Sequence, residues 1–441
     1  MKILVLDYGA FALDFCLRCR DDGHAVKWAV TERDRTREIG KGLIDIVRDW
    51  RPWLRWADLI LCPDNTRYLD TLADVRKTYP EIAVIAATPA SARLELNREE
   101  GSRVLRKHGI PTLDEHRFTD YDKAIAFVKK EGRRFVSKPC GDETDKSLTY
   151  VSKSPADLVY MLERWRRGHR HKDAFILQEF VSGVEMAVGA WIGPAGFVDG
   201  WCENFEFKKL MVGDLGVATG EQGSVVRQVD KSKLAAKVLL PLEDYLVSTG
   251  HVGYVDVNCI IDDAGNPWPL EFTCRLGWPT FNIQQSLLKD GEDHAQWLAD
   301  LGAGRSSRPF KKNSVSVGVV LSIPDYPYSH LTRKEVCGIP IYISTPKIMS
   351  TVSMCEVAMG TAPVNSRSTV VTAPCWVTAG DYVLVALGTG ETVRSARDAA
   401  YRTLKRIEIP NSPMYRTDIG NRLAKQLPMI QSHGFASGLT F

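Results

Sequence analysis

Residues 253–279 read GYVDVNCIIDDAGNPWPLEFTCRLGWP, and this stretch decides the fold. Asp256 to Ile261 alternates polar with apolar, Asp262 to Pro267 supplies turn residues, and Trp268 to Phe272 returns as a second strand. A period of two places Asp256 and Asn258 on one face, with Glu271 beside them on the partner strand. Converging oxygen donors of this kind suit a hard cation, Mg²⁺ or Mn²⁺, which keeps several waters and binds substrate phosphates. Arg275 follows within reach of the same face, where a guanidinium can clamp a carboxylate or phosphate. A polar-faced surface hairpin would carry the same pattern, so the choice between the two depends on the rest of the chain.

The chain has 441 residues, room for about two to four domains and a substantial core. Charged residues make up 25% and apolar ones 44%, as in ordinary globular proteins. The net charge of +3 sets up no global field that demands nucleic acid or a membrane surface. Apolar runs such as Val317 to Leu321 are strand-sized and too short to cross a bilayer. Met1 leads directly into the strand Ile3 to Leu6 without a basic leader, which argues against secretion. The ten cysteines are scattered, so a reduced, cytoplasmic chain is expected rather than a disulfide scaffold. Cys16 and Cys19 form a CxxC, but it lies in an apolar-periodic helix with no second pair.

Residues 1–92 alternate strands (Ile3–Leu6, Ala25–Val30, Leu59–Cys62, Ala83–Ala86) with helices (Ala10–Asp21, Arg67–Thr78). This pattern implies an open parallel α/β domain. The first strand–helix turn, Asp7 to Phe11, has one glycine and no dinucleotide fingerprint. The mixed run Trp50 to Trp56 reads as aromatic packing around Pro52 rather than a nucleic-acid face. Residues 93–312 alternate helices with short strands and contain the hairpin. The basic run Arg164 to Lys172 reads as a solvated loop. From Asn313 to the end, strand patterns closing in a helix over Thr392–Arg406 suggest an α+β module.

Four more segments carry possible chemistry. Phe135 to Pro139 is a strand that brings Lys138 to a polar loop, Cys140 to Ser147, where a lysine can meet nucleotide phosphates as a point charge. Phe175 to Glu185, which ends QEFVSGVE, is an apolar strand running through a hinge to a carboxylate. Its backbone around Glu179 and Val181 can face an adenine, and Glu185 can accept from ribose hydroxyls. Gly213 to Gly223 has four glycines, able to bring amides close to an anion. Arg98 lies early in a helix that ends at Gly109. Each segment taken singly also fits a plain surface or core role.

Together, in this order, the lysine strand, hinge, glycine loop and metal hairpin resemble the ATP-grasp superfamily. The chain is similar, more closely, to the phosphoribosylamine–glycine ligase (glycinamide ribonucleotide synthetase) family from end to end. The valine-rich Val315 to Ile323 leading to Asp325-Tyr326-Pro327, the Tyr382 to Gly390 strand and the closing Arg416-Thr417-Asp418-Ile419-Gly420 carry the C-terminal half of that resemblance.

The resemblance implies an N-terminal α/β domain (1–92), an ATP-grasp core (93–312) with a lid at about 114–182, and a C-terminal β-rich α+β domain (313–441). It implies ATP and Mg²⁺ or Mn²⁺ as cofactors, with an amino acid and an amine as small-molecule substrates. Arg98 and Lys138 take the places of phosphate contacts, Glu179 and Val181 the adenine hinge, and Glu185 the ribose carboxylate. Asp214, Gly216, Thr219, Gly220 and Gly223 fall on the substrate loop. Glu271 matches a metal ligand and Arg275 the arginine four residues on, with Arg275 and Lys138 in catalytic places.

Departures from the family pattern are local. Thr273 stands where the family pairs its glutamate with an asparagine, which leaves Asn258 or Asp256 to complete the metal site. The loop after Lys138 keeps only Gly141, and the first strand–helix turn lacks the glycines and basic residue that hold phosphoribosylamine. The implied reaction is ATP-dependent amide formation through an acyl phosphate, with glycine and phosphoribosylamine as substrates. A ligase for another amine or acid, or a nucleotide-binding relative without turnover, stays open at this point.

Overall fold

The structure, a computed structural model, describes residues 1–32, 36–140, 149–168, 174–198, 200–305, 308–366, 369–410 and 412–441. The sequence reading of the loop after Lys138, with Gly141 and Lys146, falls outside the described residues, as does the end of the basic run from His169.

The N-terminal part forms a four-stranded parallel sheet from β1 (Lys2–Asp7), β2 (Ala25–Val30), β3 (Leu59–Leu61) and β4 (Ala83–Ile85), in the order β2-β1-β3-β4. Its strands are short and apolar because helices cover both faces. Helix Leu13–Asp21 buries Cys16 and Cys19, so these thiols serve as packing groups. Burial raises both well above the usual thiol range. Trp50, Trp53 and Trp56 pack against an apolar cluster that draws on all four strands, as the aromatic reading expected.

A second unit of four antiparallel strands follows: β5 (Glu115–Phe118), β6 (Phe135–Pro139), β7 (Tyr150–Val151) and β8 (Phe175–Glu179), in the order β5-β8-β6-β7. Helices Tyr121–Glu131 and Pro155–Gly168 pack on it. Asp120 caps the first of them, accepting from the amides of Asp122 and Lys123. Phe135, Phe175, Leu158 and Leu162 form this unit's own apolar cluster.

The remaining strands are β9 (Val184–Gly193), β10 (Gly196–Phe197), β11 (Trp201–Glu206), β12 (Lys209–Met211), β13 (Leu215–Ala218), β14 (Gly223–Val229), β15 (Gly253–Ile261), β16 (Pro267–Thr273), β17 (Val315–Ser322), β18 (Tyr342–Ile343), β19 (Val352–Met354), β20 (Val357–Ser366), β21 (Thr369–Thr378), β22 (Tyr382–Gly390) and β23 (Ile407–Glu408). Their centre is a nine-stranded antiparallel sheet, β16-β15-β9-β11-β14-β17-β22-β19, with β10 on the side. Strand β14 pairs with β17 from Gly223–Val319 to Arg227–Val315, so this sheet unites strands from before and after residue 313. Helix Val393–Leu404, opened by a Thr392–Ser395 capping box, packs on β22 and β17. Strands β12 and β13 form a separate small hairpin above the sheet. Among the described residues no helix is long and apolar enough to cross a membrane.

Candidate active site

The hairpin expected over 253–279 is present as β15 and β16. Its register sets Asn258 opposite Glu271 and Asp256 opposite Thr273, with an irregularity between Asn258 and Cys259. The amide nitrogen of Asn258 donates to Glu185 Oε1 at 2.7 Å and Glu206 Oε2 at 3.3 Å. Its carbonyl oxygen Oδ1 is buried and has no hydrogen-bond partner among the described residues. Asp256 is engaged elsewhere, accepting from Asn204 Nδ2 at 2.9 Å and the Tyr254 hydroxyl at 3.1 Å. Burial, with the charge of Glu206 beside it, pushes Asp256 up to about 7. Of the two candidates to complete the Glu271 site, Asn258 has the uncommitted oxygen. Two neutral-to-anionic oxygen donors on paired strands fit a hard divalent cation.

Lys208 lies at the centre of the site, two residues beyond the end of β11. Its ammonium donates to Glu185 Oε1 at 2.9 Å, reaches Glu206 Oε2 at 2.9 Å, and lies 3.5 Å from Glu271 Oε1. Burial opposes its charge, but the three carboxylates hold it protonated well above the usual lysine range. Burial works against ionisation of Glu185 as well, yet Lys208 and the Asn258 amide keep it below the carboxylate norm. Glu221, next to this group, is pushed well above that norm by burial and by Glu206.

Two cations anticipated from sequence join the cluster from other elements. Arg98 opens helix Arg98–Lys107 behind its cap Asn97, and its Nη2 lies 3.9 Å from Glu271 Oε2. Lys138, on β6 of the four-stranded unit, is buried and donates to Gln178 Oε1 at 2.8 Å. Burial and the charge of Arg98 lower Lys138 to about 8, with Glu271 and Glu115 opposing. A residue of the four-stranded unit and residues of the larger sheet and its flanking helix therefore share one electrostatic neighbourhood.

The chain leaves the four-stranded unit through Phe180 to Gly183, with Glu179 at the end of β8 and Val181 in the connection. Glu179 is turned to Arg133 at 2.5 Å, while its amide donates to the Asp114 carbonyl. A Cβ on Gly183 would sit 2.1 Å from the Ile261 carbonyl oxygen, so only glycine lets the connection press against the end of β15. This contact sets where β9 begins and hence where Glu185 points.

The glycine-rich stretch folds as the β12–β13 hairpin. Asp214 sits at its tip with φ of 56° and is clamped by Arg416 Nη1 at 2.9 Å and Arg422 Nη1 at 3.1 Å. Thr219 donates from its amide and hydroxyl to the Lys208 carbonyl, both at 2.8 Å. Gly216 and Gly220 are exposed along the same segment, and Gly223 starts β14. Arg275 is turned away from Glu271, pairing with Glu95 at 3.1 Å. Glu95 also accepts from Asn65 and from the Cys274 amide, which joins the β15–β16 hairpin to the segment after β3.

At the carboxyl end of β1 the Phe11 ring lies on the backbone of Gly9, where a Cβ would meet it at 2.4 Å. Phe11 stacks on Trp278 with centroids 5.7 Å apart, and Arg67 lies 4.1 Å over the Tyr8 ring. Away from this region, Asp22, His24 and Asp293 bring donor atoms within 4.8 Å of one another. His24 there is already bonded to the amino terminus and to Asp293, a joint between the N-terminal sheet and the body.

Sequence reasoning gave no place in the site to Glu206, Lys208, Arg416 or Arg422. No local signal marked Lys208, which lies beyond the end of β11 and meets carboxylates from three strands.

Comparison with known proteins agrees with this geometry. Residues 101–280 match the family model of the phosphoribosylglycinamide synthetase ATP-grasp (A) domain. A phosphoribosylamine–glycine ligase of Ralstonia nicotianae is 25% identical over 356 residues, covering 78% of this chain and 80% of the relative. The Pseudomonas syringae enzyme of the same name is 26% identical over 354 residues, covering 76% of each. Among solved structures, phosphoribosylamine–glycine ligase from Thermotoga maritima superposes with a TM-score of 0.72 at 20% identity, covering 95% of this chain and 100% of that one. The biotin carboxylase domain of Hydrogenobacter thermophilus 2-oxoglutarate carboxylase, solved with MgADP, gives 0.60 at 13% identity, covering 100% and 95%. Residues 101–280 thus carry the ATP-grasp domain of the phosphoribosylglycinamide synthetase family, and the chain as a whole is similar to phosphoribosylamine–glycine ligases.

Proposed function

We propose that the protein is an ATP-dependent carboxylate–amine ligase that joins glycine to phosphoribosylamine, the reaction named for its relatives. The observation that carries this reading is the meeting of Arg98, Lys138 and Glu271, from a helix, the lid and the hairpin, around one polar centre. Glu271 and the Asn258 oxygen would hold a divalent ion, which would supply charge neutralisation to the nucleotide phosphates. Arg98 and Lys138 offset the charge of the transferring phosphoryl group. The adenine lies along Glu179 to Val181, Glu185 faces the ribose, and the β12–β13 hairpin with Asp214, Gly216, Thr219 and Gly220 borders the substrates. Arg275, released from Glu95, is placed to hold the substrate carboxylate.

In the first step a carboxylate oxygen attacks the γ-phosphorus and ADP leaves, which gives an acyl phosphate. In the second the amine nitrogen attacks the acyl carbon, phosphate departs, and the amine proton passes to solvent. Water is excluded by the lid, because the acyl phosphate would hydrolyse. A reaction of this kind among small metabolites suits a cytoplasmic location, in keeping with ten unpaired cysteines.

A second reading keeps the chemistry and changes the amine. It is favoured by the Phe11 ring on Gly9, which covers with an aromatic face the turn where phosphoribosylamine is expected. ADP formation and product mass with glycine and a panel of amines decide between them. Turnover that requires phosphoribosylamine supports the first reading, and turnover only with another amine supports the second. Glu271→Ala is expected to slow ATP consumption at least about 100-fold while the fold is kept. An undiminished rate in that variant would falsify the ligase assignment.

A further inference from the structure

We propose that Lys208 holds the cation position of the nucleotide-free enzyme, so that a divalent ion enters together with the nucleotide rather than ahead of it. The inference rests on the ligase reading of this site. Its basis is the placement of one ammonium among three carboxylates, with contacts of 2.9, 2.9 and 3.5 Å to Glu185, Glu206 and Glu271.

The spread of those carboxylates matches a lysine better than a small ion. Among the described residues, the trio of acidic or histidine donors that comes within 4.8 Å of one another is Asp22, His24 and Asp293, not these glutamates. A Mg²⁺ ion needs oxygen atoms at about 2.0–2.1 Å, a tighter cluster than an ammonium gathers. An ion on Glu271 with Lys208 in place would also meet a like charge within roughly 5 Å, a repulsion large on the thermal scale in a partly buried site.

The three legs are unequal. The contact to Glu271 is the longest, while Glu185 and Glu206 hold the ammonium at ordinary ion-pair distance. Glu271 is therefore the carboxylate that Lys208 gives up first. The lysine stem is flexible and its side chain is about one-third exposed, so it can turn toward an arriving polyphosphate. The polyphosphate brings the negative charge that lets lysine and metal remain together, and Glu271 with the Asn258 oxygen then receives the ion. Lys208 thereby couples metal affinity to nucleotide occupancy.

Mn²⁺ binding to the full chain without nucleotide, read by loss of the free-ion electron spin resonance signal, tests this directly. Lys208→Met is expected to bind Mn²⁺ at least about tenfold more tightly than wild type. Lys208→Arg, which keeps a cation, should resemble wild type. In Lys208→Met/Glu271→Ala the gain should vanish. Equal affinities in wild type and Lys208→Met overturn the proposal. If Lys208→Met does not fold, the wild type decides, since tight Mn²⁺ binding lost in Glu271→Ala shows the position open without nucleotide. No nucleotide or amine enters these measurements, so failure of the ligase reading would show separately, as absent turnover with the Lys208 result intact.

Discussion

Lys138 illustrates how a single residue's surroundings fix its pH behaviour. Its ammonium is buried against Gln178 and faces Arg98 and Lys208 as like charges, with Glu271 and Glu115 opposing, and the balance lowers it to about 8. The folded value lies below the ordinary lysine value of 10.5. Between these limits the unfolded chain binds more protons, so this residue's cost to stability is full below about pH 8 and is relieved as pH rises toward 10.5. Nucleotide binding runs the other way, because phosphates favour the charged lysine. Affinity for a non-hydrolysable ATP analogue should therefore fall above about pH 8, by at most roughly tenfold per pH unit, with proton uptake on binding. Calorimetry in buffers of different ionisation heat measures both effects. Lys138→Met should bind more weakly and lose this pH dependence, and a wild-type profile flat to pH 9.5 would count against a phosphate role for Lys138.

At the scale of elements, the β12–β13 hairpin is held down by the C-terminal segment. Arg416 is almost fully buried and makes a two-pronged bond to Asp418 at 2.8 and 2.7 Å. It also donates to the Lys209 carbonyl and to Asp214 at 2.9 Å. Arg422 adds Asp214 and the Glu206 carbonyl and lies 4.1 Å over the Phe207 ring. Arg416→Met leaves these acceptors without their cation and should cost about 3 kcal/mol, seen as a lowered Tm. Limited proteolysis should then cut first within Met211–Val217. A variant that melts and resists proteolysis like wild type would show that the clamp adds nothing.

What the sequence revealed, and what it concealed, follows the same division. The β15–β16 hairpin was readable because alternation and turn residues are local signals, and so were the parallel strands β1 to β4. Lys208 was hidden because its three carboxylates come from β9, β11 and β16, which no spacing rule connects. Asp214 was expected beside substrate, yet its arginine partners lie some two hundred residues further along the chain. The union of strands from before and after residue 313 in one central sheet was equally invisible, since the β14–β17 pairing joins strands far apart in sequence.

For the molecule as a whole, the packing divides where motion is required. The unit formed by β5 to β8, which we propose is the lid, has a closed apolar cluster around Phe135, Phe175 and Leu158, separate from the cluster that fills the central sheet. Its strands are joined to the body through the segment before Glu115 and through Phe180 to Gly183, where Gly183 presses on Ile261. A unit with its own core and narrow connections moves as a body about them. Lys138 rides on the lid, whereas Arg98 and Glu271 belong to the body, so a polyphosphate between them draws the two together. Hydrogen exchange with a non-hydrolysable ATP analogue and Mg²⁺ should slow the amides of Phe180 to Gly183 by about tenfold or more, with β1 to β3 unchanged. Lys138→Met should lose that protection while the amides around Phe135 and Phe175 keep theirs, because the lid core does not depend on the lysine's charge. Protection that is uniform across the chain, or equal in Lys138→Met, would mean that the nucleotide stiffens the protein generally and that the lid does not close through this residue.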